Sequence, residues 1–313
     1  MLVARTLPRA GLDRLDASCV IREGGLDVTA RQLLELAPGA QAVVADPTVA
    51  VGEPLLEAAG DGLGVVANFA VGYDNVDVEA CRRRGVMVTN TPDVLTNATA
   101  ELALTLTLAA ARRTTEAEAD LRAGRWAGLT PDGYLGLELG GASFGIVGMG
   151  RIGRRYAELI APLAGEILYA ARSAKPDAER DLGALYVGFD ELLRRSDVVS
   201  LHVPASAETA GLIGRGELEA MRPHAILVNT SRGSLVDSEA LARALREGLI
   251  GAAGLDVYEN EPEVPSELLE APNCTLLPHV GSATTRARDA MAALVADNVL
   301  AALGGMEPPN RIA

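Results

Sequence analysis

Residues 144–161 read FGIVGMGRIGRRYAELIA, and this stretch decides the fold. It opens with a short apolar run typical of a buried β-strand and closes with the mixed apolar and charged pattern of a helix. The residues between these two parts form a G-x-G-x-x-G motif: Gly148, Met149, Gly150, Arg151, Ile152 and Gly153. Such glycines allow a tight turn, a close approach of backbone to pyrophosphate, and close packing of helix on strand. In the order strand, loop, helix, the motif predicts a dinucleotide site at the helix N-terminus.

Short apolar runs alternate with helical patterns on both sides of this motif, which is typical of parallel sheets covered by helices. Before it the runs are LVA from Leu2, AVVA from Ala42, LGVVANF from Leu63 and GVMVTN from Gly85. After it they are EILYA from Glu166, VVSLHVP from Val198, AILVNTS from Ala225, GAAGLDVY from Gly251 and TLLPH from Thr275. The pattern predicts the α/β class, with two doubly wound parallel-sheet domains.

Two helical segments suggest how these domains connect. A long apolar helix follows Thr96, and a last helix over 284–303 carries Asn298 on an otherwise mostly apolar face. That face needs a partner, so the tail is predicted to return to the first domain. We therefore expect a Rossmann domain at 98–283, inserted in a flavodoxin-like substrate domain at 1–97 and 284–313, with a cleft between them.

Composition restricts the class of partner. The 313 residues carry 28 Lys and Arg against 42 Asp and Glu, a net charge of −14, which disfavours nucleic acid and anionic membranes. Cys19, Cys81 and Cys274 lack metal-ligand spacing, so reduced thiols and no metal are expected. Because the chain has no long apolar run, we expect no signal peptide and no membrane span, and therefore a cytoplasmic protein.

The residues after the strand EILYA bear on the choice of cofactor. An NAD site commonly has Asp or Glu there, where it binds the ribose hydroxyls. This chain instead reads Ala171, Arg172, Ser173, Ala174, Lys175. Arg172 and Ser173 can donate hydrogen bonds to a 2′-phosphate, so NADP(H) is favoured. If Arg172 is only a solvated charge stacking on adenine, NAD(H) would serve as well.

Hydride transfer to a carbonyl needs a proton donor near neutral pH, for which histidine is suited. His279 follows the last predicted strand, His202 ends the strand VVSLHVP and is predicted to contact the cofactor, and His224 lies in a turn and is predicted to be a surface residue. Two other strand ends carry Arg232 and Glu261. A carboxylate beside an imidazole favours the charged ring and fixes its orientation, and an arginine can hold a substrate carboxylate and polarise a keto oxygen.

Six segments carry a resemblance that spans nearly the whole chain: NFAVGYDNVD, TNTPDVLTNATAELA, GIVGMGRIG, VNTSRGSLVD, AAGLDVYENEP and LPHVGSAT. In this order they resemble the D-2-hydroxyacid dehydrogenase family, most closely its glyoxylate/hydroxypyruvate reductase branch. The resemblance implies that a small 2-keto acid is reduced, with Arg232 as substrate anchor, His279 as proton donor and Glu261 as its partner.

Further residues acquire expected roles from the same resemblance. The backbone N–H groups of Val71 and Gly72 would hold the substrate carboxylate, in a loop that precedes a helix predicted at 75–84 with Asp74 or Asn75 as its cap. Leu95 would border the substrate pocket, although core packing is its default interpretation. The residues expected to contact the dinucleotide are Thr99, Thr230, Asp256 and Gly281. Gly281 lies close to residue 284, where the chain is predicted to return to the substrate domain.

The resemblance also implies a homodimer, and the region of Trp126 matches a loop that reaches the partner subunit in relatives. Two alternatives stay open from the sequence. One is another branch of the family, such as 3-phosphoglycerate, formate or phosphite dehydrogenase. The other is a dinucleotide-sensing interaction protein without catalytic activity, which the complete set of Arg232, Glu261 and His279 disfavours.

Overall fold

The computed structural model describes residues 1–313. The chain forms two compact units, one of Met1–Leu95 with Ser282–Ala313 and one of Thr96–Gly281.

The first unit is built on a five-stranded parallel sheet. Its strands and the helices between them are β1 (Leu2–Val3), α1 (Arg9–Asp16), β2 (Arg22–Glu23), α2 (Ala30–Leu36), β3 (Ala42–Ala45), α3 (Glu53–Ala59), β4 (Val65–Asn68), α4 (Val78–Arg83) and β5 (Met87–Thr89). The strand order is β2-β1-β3-β4-β5, which is the flavodoxin-like order 2-1-3-4-5. Strand β2 has two residues, too few to show a pattern in the sequence, and it was not predicted.

The second unit has a seven-stranded parallel sheet. Its elements are α5 (Thr96–Ala111), α6 (Thr114–Arg122), β6 (Ala142–Val147), α7 (Arg151–Ile160), β7 (Ala164–Ala170), α8 (Pro176–Leu182), β8 (Leu185–Tyr186), α9 (Phe189–Arg195), β9 (Val198–Leu201), α10 (Arg215–Ala220), β10 (Ile226–Asn229), a 3-10 turn (Gly233–Leu235), α11 (Ser238–Glu247), β11 (Ala252–Leu255), α12 (Ser266–Leu269) and β12 (Cys274–Leu276).

The strand order of the second unit is β12-β11-β10-β9-β6-β7-β8. Counted from β6, this is the Rossmann order with one further strand. Successive strands are added on one side of β6 up to β8 and on its other side from β9 onwards, so the order of addition reverses between β6 and β9. Ligands of such sheets bind at the carboxyl ends of the strands beside that reversal. The predicted class, α/β with two parallel sheets, is confirmed. The two-residue strand β8 was missed for the same reason as β2.

The last helix, α13 (Thr285–Leu303), belongs to the first unit. The Thr284 side chain accepts a hydrogen bond from the amide of Ala287 and so caps its first turn. One face of α13 is buried against α1 and β4. None of the helices combines the length and apolar character that crossing a membrane requires.

Helix boundaries agree with the sequence where a capping residue or a glycine marks them. Helix α11 covers Ser238–Glu247 and ends at Gly248, whose φ of +68° suits glycine. The prediction for α4 was wrong at its start, because Asp77 caps the helix through the amide of Ala80 at 2.8 Å. Asn75 does not cap it, since its side-chain amide donates to the carbonyls of Asp46 and Val49.

Candidate active site

The glycine loop follows β6 at the point where the strand order reverses. Gly148 has a φ of +98°, and a Cβ there would lie 2.7 Å from the carbonyl carbon of His202. A Cβ on Gly153 would lie 2.0 Å from the carbonyl oxygen of Gly148. Only glycine fits at these two positions, so the loop is held tightly against the end of β9.

Gly150 is different, because a Cβ there would meet no atom of the chain within 4 Å. It is the N-cap of α7, and it provides no side chain to bind the first amide groups of that 10-residue helix. A helix N-terminus left open in this way attracts anions through its N–H groups and its dipole. The space above Gly150 therefore suits the pyrophosphate of a dinucleotide.

A second observation supports this fit. Thr230 follows β10, is buried, and its hydroxyl has no hydrogen-bond partner in the chain. Buried polar groups are usually paired, so this hydroxyl is suited to a ligand at the carboxyl end of the sheet. Thr99 is also buried and lies next to Gly281, whose Cβ would be 3.6 Å from the Thr99 side chain.

The turn after β7 is ordered by the Tyr169 hydroxyl, which accepts from the amide of Lys175 and donates to the Glu179 carboxylate, both at 2.6 Å. Arg172 and Ser173 are exposed in this turn, and residues 171–175 include no carboxylate. The end of β7 therefore presents donors of hydrogen bonds to a ligand.

Glu261 and His279 form an ion pair after strands β11 and β12. The Nδ1 atom of His279 lies 2.5 Å from Oε2 of Glu261, and the other carboxylate oxygen accepts from the amide of Tyr258 at 2.9 Å. Burial alone raises the pKa of Glu261, but the bonds from His279 and Tyr258 and the charges of His279 and Arg232 outweigh it and leave that pKa below its usual value. Glu261 is thus a fixed carboxylate that orients the imidazole ring.

Arg232 follows β10, and its side chain donates to the carbonyl of Ser231 at 2.8 Å. The next residue, Gly233, lets this loop contact the segment after β11, since a Cβ there would lie 1.9 Å from the carbonyl carbon of Tyr258. The structure thereby brings a cation, a carboxylate and an imidazole to the carboxyl ends of three successive strands.

These residues can be compared with those of known proteins. The sequence profile of "D-isomer specific 2-hydroxyacid dehydrogenase, NAD binding domain" matches residues 104–281, more than half of the chain. The chain belongs to the D-isomer specific 2-hydroxyacid dehydrogenase family. The resemblance read from the six sequence segments is thus confirmed, and the second unit of this dehydrogenase binds a nicotinamide dinucleotide.

Individual relatives support the assignment across both units. The dehydrogenase is 49% identical to the glyoxylate reductase of Thermococcus litoralis over 284 residues, which cover 90% of this chain and 86% of that protein. Among solved structures, the TT0316 protein of Thermus thermophilus is 43% identical with a TM-score of 0.92, covering 100% of this chain and 99% of that one. An NADPH-dependent glyoxylate/hydroxypyruvate reductase of Sinorhizobium meliloti, solved with NADP and malonate, is 37% identical with a TM-score of 0.86, covering 100% and 96%.

Asp256 holds residues 279–281 of the dehydrogenase, the loop that carries His279, in place. Its carboxylate is fully buried and accepts from the amides of Val280 and Gly281, each at 2.8 Å, while its backbone carbonyl accepts from the amide of His279 at 2.9 Å. Burial is the main cause of the raised pKa of Asp256. These bonds stabilise His279 at a φ of +53°, a conformation unfavourable for most side chains.

The other two histidines lie in different environments. His202 bonds through Nε2 to the Ser200 hydroxyl at 2.9 Å and packs against the ring of Tyr156. Burial lowers the pKa of His202 to about 3, so it is neutral at physiological pH. His224 is exposed at the opposite end of the sheet, 2.7 Å from Asp197, as expected of a surface residue.

Val71, Gly72 and Leu95 lie in the first unit. Leu95 is buried, which fits its default interpretation as a core residue. Val71 and Gly72 are half-buried, and their amide groups make no hydrogen bond within the chain.

Two features of the site were missed from the sequence. Tyr258 binds Glu261 through its amide and the carbonyl of Leu277 through its hydroxyl, at 2.9 Å in both cases. Asp256 binds the backbone amides of residues 279–281 through its carboxylate and its own carbonyl. The one sequence signal for the first role is that Tyr258 lies in the same segment, AAGLDVYENEP, as Glu261.

Proposed function

We propose that this dehydrogenase reduces glyoxylate, and also hydroxypyruvate, to the corresponding 2-hydroxy acid with NADPH. The observation that carries the proposal is the pair of Glu261 and His279 at 2.5 Å, placed after the strands that follow the open N-terminus of α7. The names of the relatives, glyoxylate reductase and glyoxylate/hydroxypyruvate reductase, support the substrate class.

Arg232, Glu261 and His279 have different roles in the proposed reaction. When bound, the nicotinamide supplies a hydride to the keto carbon of the substrate. Arg232 binds the substrate carboxylate and polarises the keto oxygen, which stabilises the negative charge that develops there. Because Nδ1 of His279 is engaged by Glu261, its Nε2 atom gives the proton to that oxygen. The neutral imidazole then regains a proton from water, and Glu261 keeps the ring in one orientation throughout.

The cofactor is held by groups at the carboxyl ends of the strands. We assign the pyrophosphate to the loop of Gly148, Gly150 and Gly153 and to the first turn of α7, which begins with Arg151 and Ile152. Thr99, His202, Thr230, Asp256 and Gly281 complete the proposed set of cofactor contacts. Val71 and Gly72 would bind the substrate carboxylate, and Leu95 would limit the size of the substrate.

The preference for NADPH over NADH rests on the turn after β7. Arg172 and Ser173 are exposed there, and no carboxylate among residues 171–175 would repel a 2′-phosphate. Measuring kcat/KM for both cofactors with glyoxylate tests this preference, and NADPH is expected to give the higher value. A tenfold preference for NADH would contradict it.

The test of the substrate class is a parallel assay of NADPH oxidation with glyoxylate, hydroxypyruvate, pyruvate and phenylpyruvate. We expect the first two to give the highest kcat/KM. Highest activity with phenylpyruvate, or none with any of the four, would contradict the proposal. Tight NADPH binding without turnover would favour a sensing protein.

We further propose that the enzyme is a homodimer. Helix α6 has no buried residue, and large apolar side chains on it and on neighbouring segments are exposed: Leu108, Leu121, Trp126, Leu129 and Leu135. An exposed apolar patch of this kind is typical of an interface. Light scattering should give twice the chain mass, and Leu129→Asp with Leu135→Asp should shift it towards the monomer, whereas Val20→Asp, at an equally exposed position, should not. A monomeric wild type would contradict the proposal.

The three cysteines are free thiols, and free thiols suit the reducing environment of the cytoplasm, where we place the enzyme. Activity recovered in the cytosolic fraction of the source cells would support this location, and activity in a secreted fraction would contradict it.

A further inference from the structure

Three consecutive backbone carbonyls in the loop after β4 are all bound from the same framework. This segment, residues 70–73, is called here the carboxylate loop. The three bonds are from the Thr91 amide to the Ala70 oxygen at 2.9 Å, from Asn90 Nδ2 to the Val71 oxygen at 2.8 Å and from Asn68 Nδ2 to the Gly72 oxygen at 2.8 Å. Each peptide plane of the loop is therefore fixed by a donor on its carbonyl side.

The opposite side of each plane carries the N–H groups. The one cis peptide bond of the chain is Glu261–Pro262, so the peptides of the carboxylate loop are trans. In a planar trans peptide the C=O and N–H bonds point in opposite directions. The N–H groups of Val71, Gly72 and Tyr73 consequently point away from the groups that bind the carbonyls, and none of them makes a hydrogen bond within the chain. Three successive free amides can together donate hydrogen bonds to an anion.

Asn90 is itself anchored through its backbone. Its N–H donates to the carbonyl of Asn310 at 3.3 Å, and its carbonyl accepts from Nδ2 of Asn298 at 3.2 Å. The Asn298 side-chain oxygen accepts from the amide of Asn310 at 3.0 Å, which closes the network. With its backbone held on both sides, Asn90 can present its side-chain amide to Val71 in one position.

Asn298 is the least expected member of this network. It is fully buried in α13, between apolar residues that pack on the sheet of the first unit. Burying an amide is costly unless its hydrogen bonds are made, and an apolar side chain could fill the same space. The presence of asparagine there is explained by the two segments that it joins, the end of β5 and the chain at Asn310.

We propose that Asn90 is a positioning residue for the substrate carboxylate and that Asn298 fixes it in place. Asn90 turns the Val71 carbonyl inward, which presents the Gly72 amide to the substrate, and Tyr73 supplies a third amide. Through Asn298, helix α13 acts on substrate binding without touching the substrate. This inference rests on the proposed function, in which the loop binds the carboxylate of a 2-keto acid.

The main test is Asn90→Asp, which keeps the shape of the side chain but replaces the donor to Val71 with an acceptor. We expect KM for glyoxylate and the inhibition constant of oxamate, a carboxylate analogue, to rise about tenfold or more, since a lost bond leaves two oxygens facing each other. KM for NADPH should stay within about twofold, because the proposed function assigns the loop to the substrate and not to the cofactor. A purely structural role would change Tm without this selective effect.

Two further variants control the test. Asn90→Ser shortens the side chain without adding charge and should show the same selective rise if Asn90→Asp does not fold. Asn273 also donates its side-chain amide to a backbone carbonyl, that of Gly251 at 3.1 Å, but in the other unit. Asn273→Asp should therefore lower Tm and leave both the KM for glyoxylate and the oxamate constant within twofold.

The outcomes separate this inference from the proposed function. If wild type reduces glyoxylate and both folded Asn90 variants keep KM and the oxamate constant within twofold, only the positioning role is refuted. If wild type reduces none of the keto acids, the proposed function fails, and calorimetric binding of oxamate to the NADPH complex still tests the loop. If neither Asn90 variant folds, the residue is structural and the inference is overturned.

Discussion

Two histidine–carboxylate pairs lie at opposite ends of the same parallel sheet. Glu261 and His279 are 2.5 Å apart at the carboxyl ends of the strands, and Asp197 and His224 are 2.7 Å apart at the amino ends. In each pair the carboxylate also accepts from a backbone amide. The contact alone therefore does not define a catalytic site.

The difference lies in what surrounds each pair. Asp197 shares its carboxylate with the Arg222 guanidinium at 2.6 Å, and the side chain of His224 is 54% exposed. The side chain of His279 is 34% exposed, and its loop is held by buried Asp256. The pair at the carboxyl ends lies at the same end of the sheet as the glycine loop, which follows β6. Ligands bind at that end of doubly wound sheets. The other pair joins strand starts and stabilises the fold.

The largest expected effect separates the two histidines. His279→Gln should lower kcat by about 10² to 10⁴, the usual contribution of a general acid, while NADPH binding is kept. His224→Gln should leave kcat within about twofold, because His224 contacts no reacting group. NADPH oxidation and calorimetric titration of NADPH measure the two properties. A His279→Gln enzyme with more than about a tenth of wild-type kcat would remove the distinction.

The next largest difference in kcat is expected between substitutions of the two carboxylates, Glu261 and Asp197. Glu261→Gln is expected to lower kcat by about ten- to a hundredfold, since the ring loses both its orienting partner and a counter-charge. Asp197→Asn should leave kcat nearly unchanged. Steady-state assays at saturating glyoxylate and NADPH make the comparison, and equal losses in the two variants would contradict it.

For the stability of the fold we expect the opposite ranking, with the larger effect from the substitution of Asp197. Burial alone raises the pKa of Asp197, but bonds from the Ser143 amide, His224 and Arg222 outweigh it and hold that pKa below its ordinary value of 3.8. The unfolded chain therefore binds the proton more readily, so this carboxylate stabilises the fold above about pH 4, and the contribution is lost as pH falls through the lower folded pKa.

We accordingly expect Asp197→Asn to lower the free energy of unfolding by about 1.5–3 kcal/mol at pH 7, a usual range for hydrogen bonds to a charged group. The difference from wild type should shrink as the pH falls below 4. Urea unfolding at a series of pH values measures it. A difference that grows towards acid pH would give the opposite sign and refute the assigned role.

The smallest effect concerns Tyr258, which connects the segment of Glu261 with the chain just before His279. Tyr258→Phe removes the hydroxyl bond to Leu277 and should lower kcat by about two- to tenfold, the equivalent of one neutral hydrogen bond. Tyr134→Phe is the control, since the Tyr134 hydroxyl donates to half-buried Asp120, which is far along the chain from the motif. Identical kcat values for both variants would mean that the tether does not position His279.

Much of the site was predictable because strand ends are visible in a sequence. Short apolar runs located β9, β10, β11 and β12 and therefore the residues that follow them, which include Arg232 and His279. Parallel pairing then brings such residues to one edge of the sheet without further information. The glycine motif was predictable in the same way, since its spacing follows from local geometry.

The remaining features depend on contacts between segments that are distant in the chain. The start of α4 was misplaced because the choice among Asp74, Asn75 and Asp77 depends on the carbonyls that Asn75 meets near Asp46. From the sequence, Asn298 was only one polar residue on an apolar helical face. Its partners Asn90 and Asn310 come close to it only when the chain folds.

The sequence by itself determined the α/β class and the glycine loop and pointed to Arg232, Glu261 and His279 as candidates, since each depends on patterns within a few residues. Only the tertiary structure decided that His224 pairs with Asp197 and which asparagines bind the carboxylate loop. The physical reason is that hydrogen bonds form wherever folding brings donor and acceptor within about 3 Å. The spacing of residues along the chain does not predict which distant groups come that close.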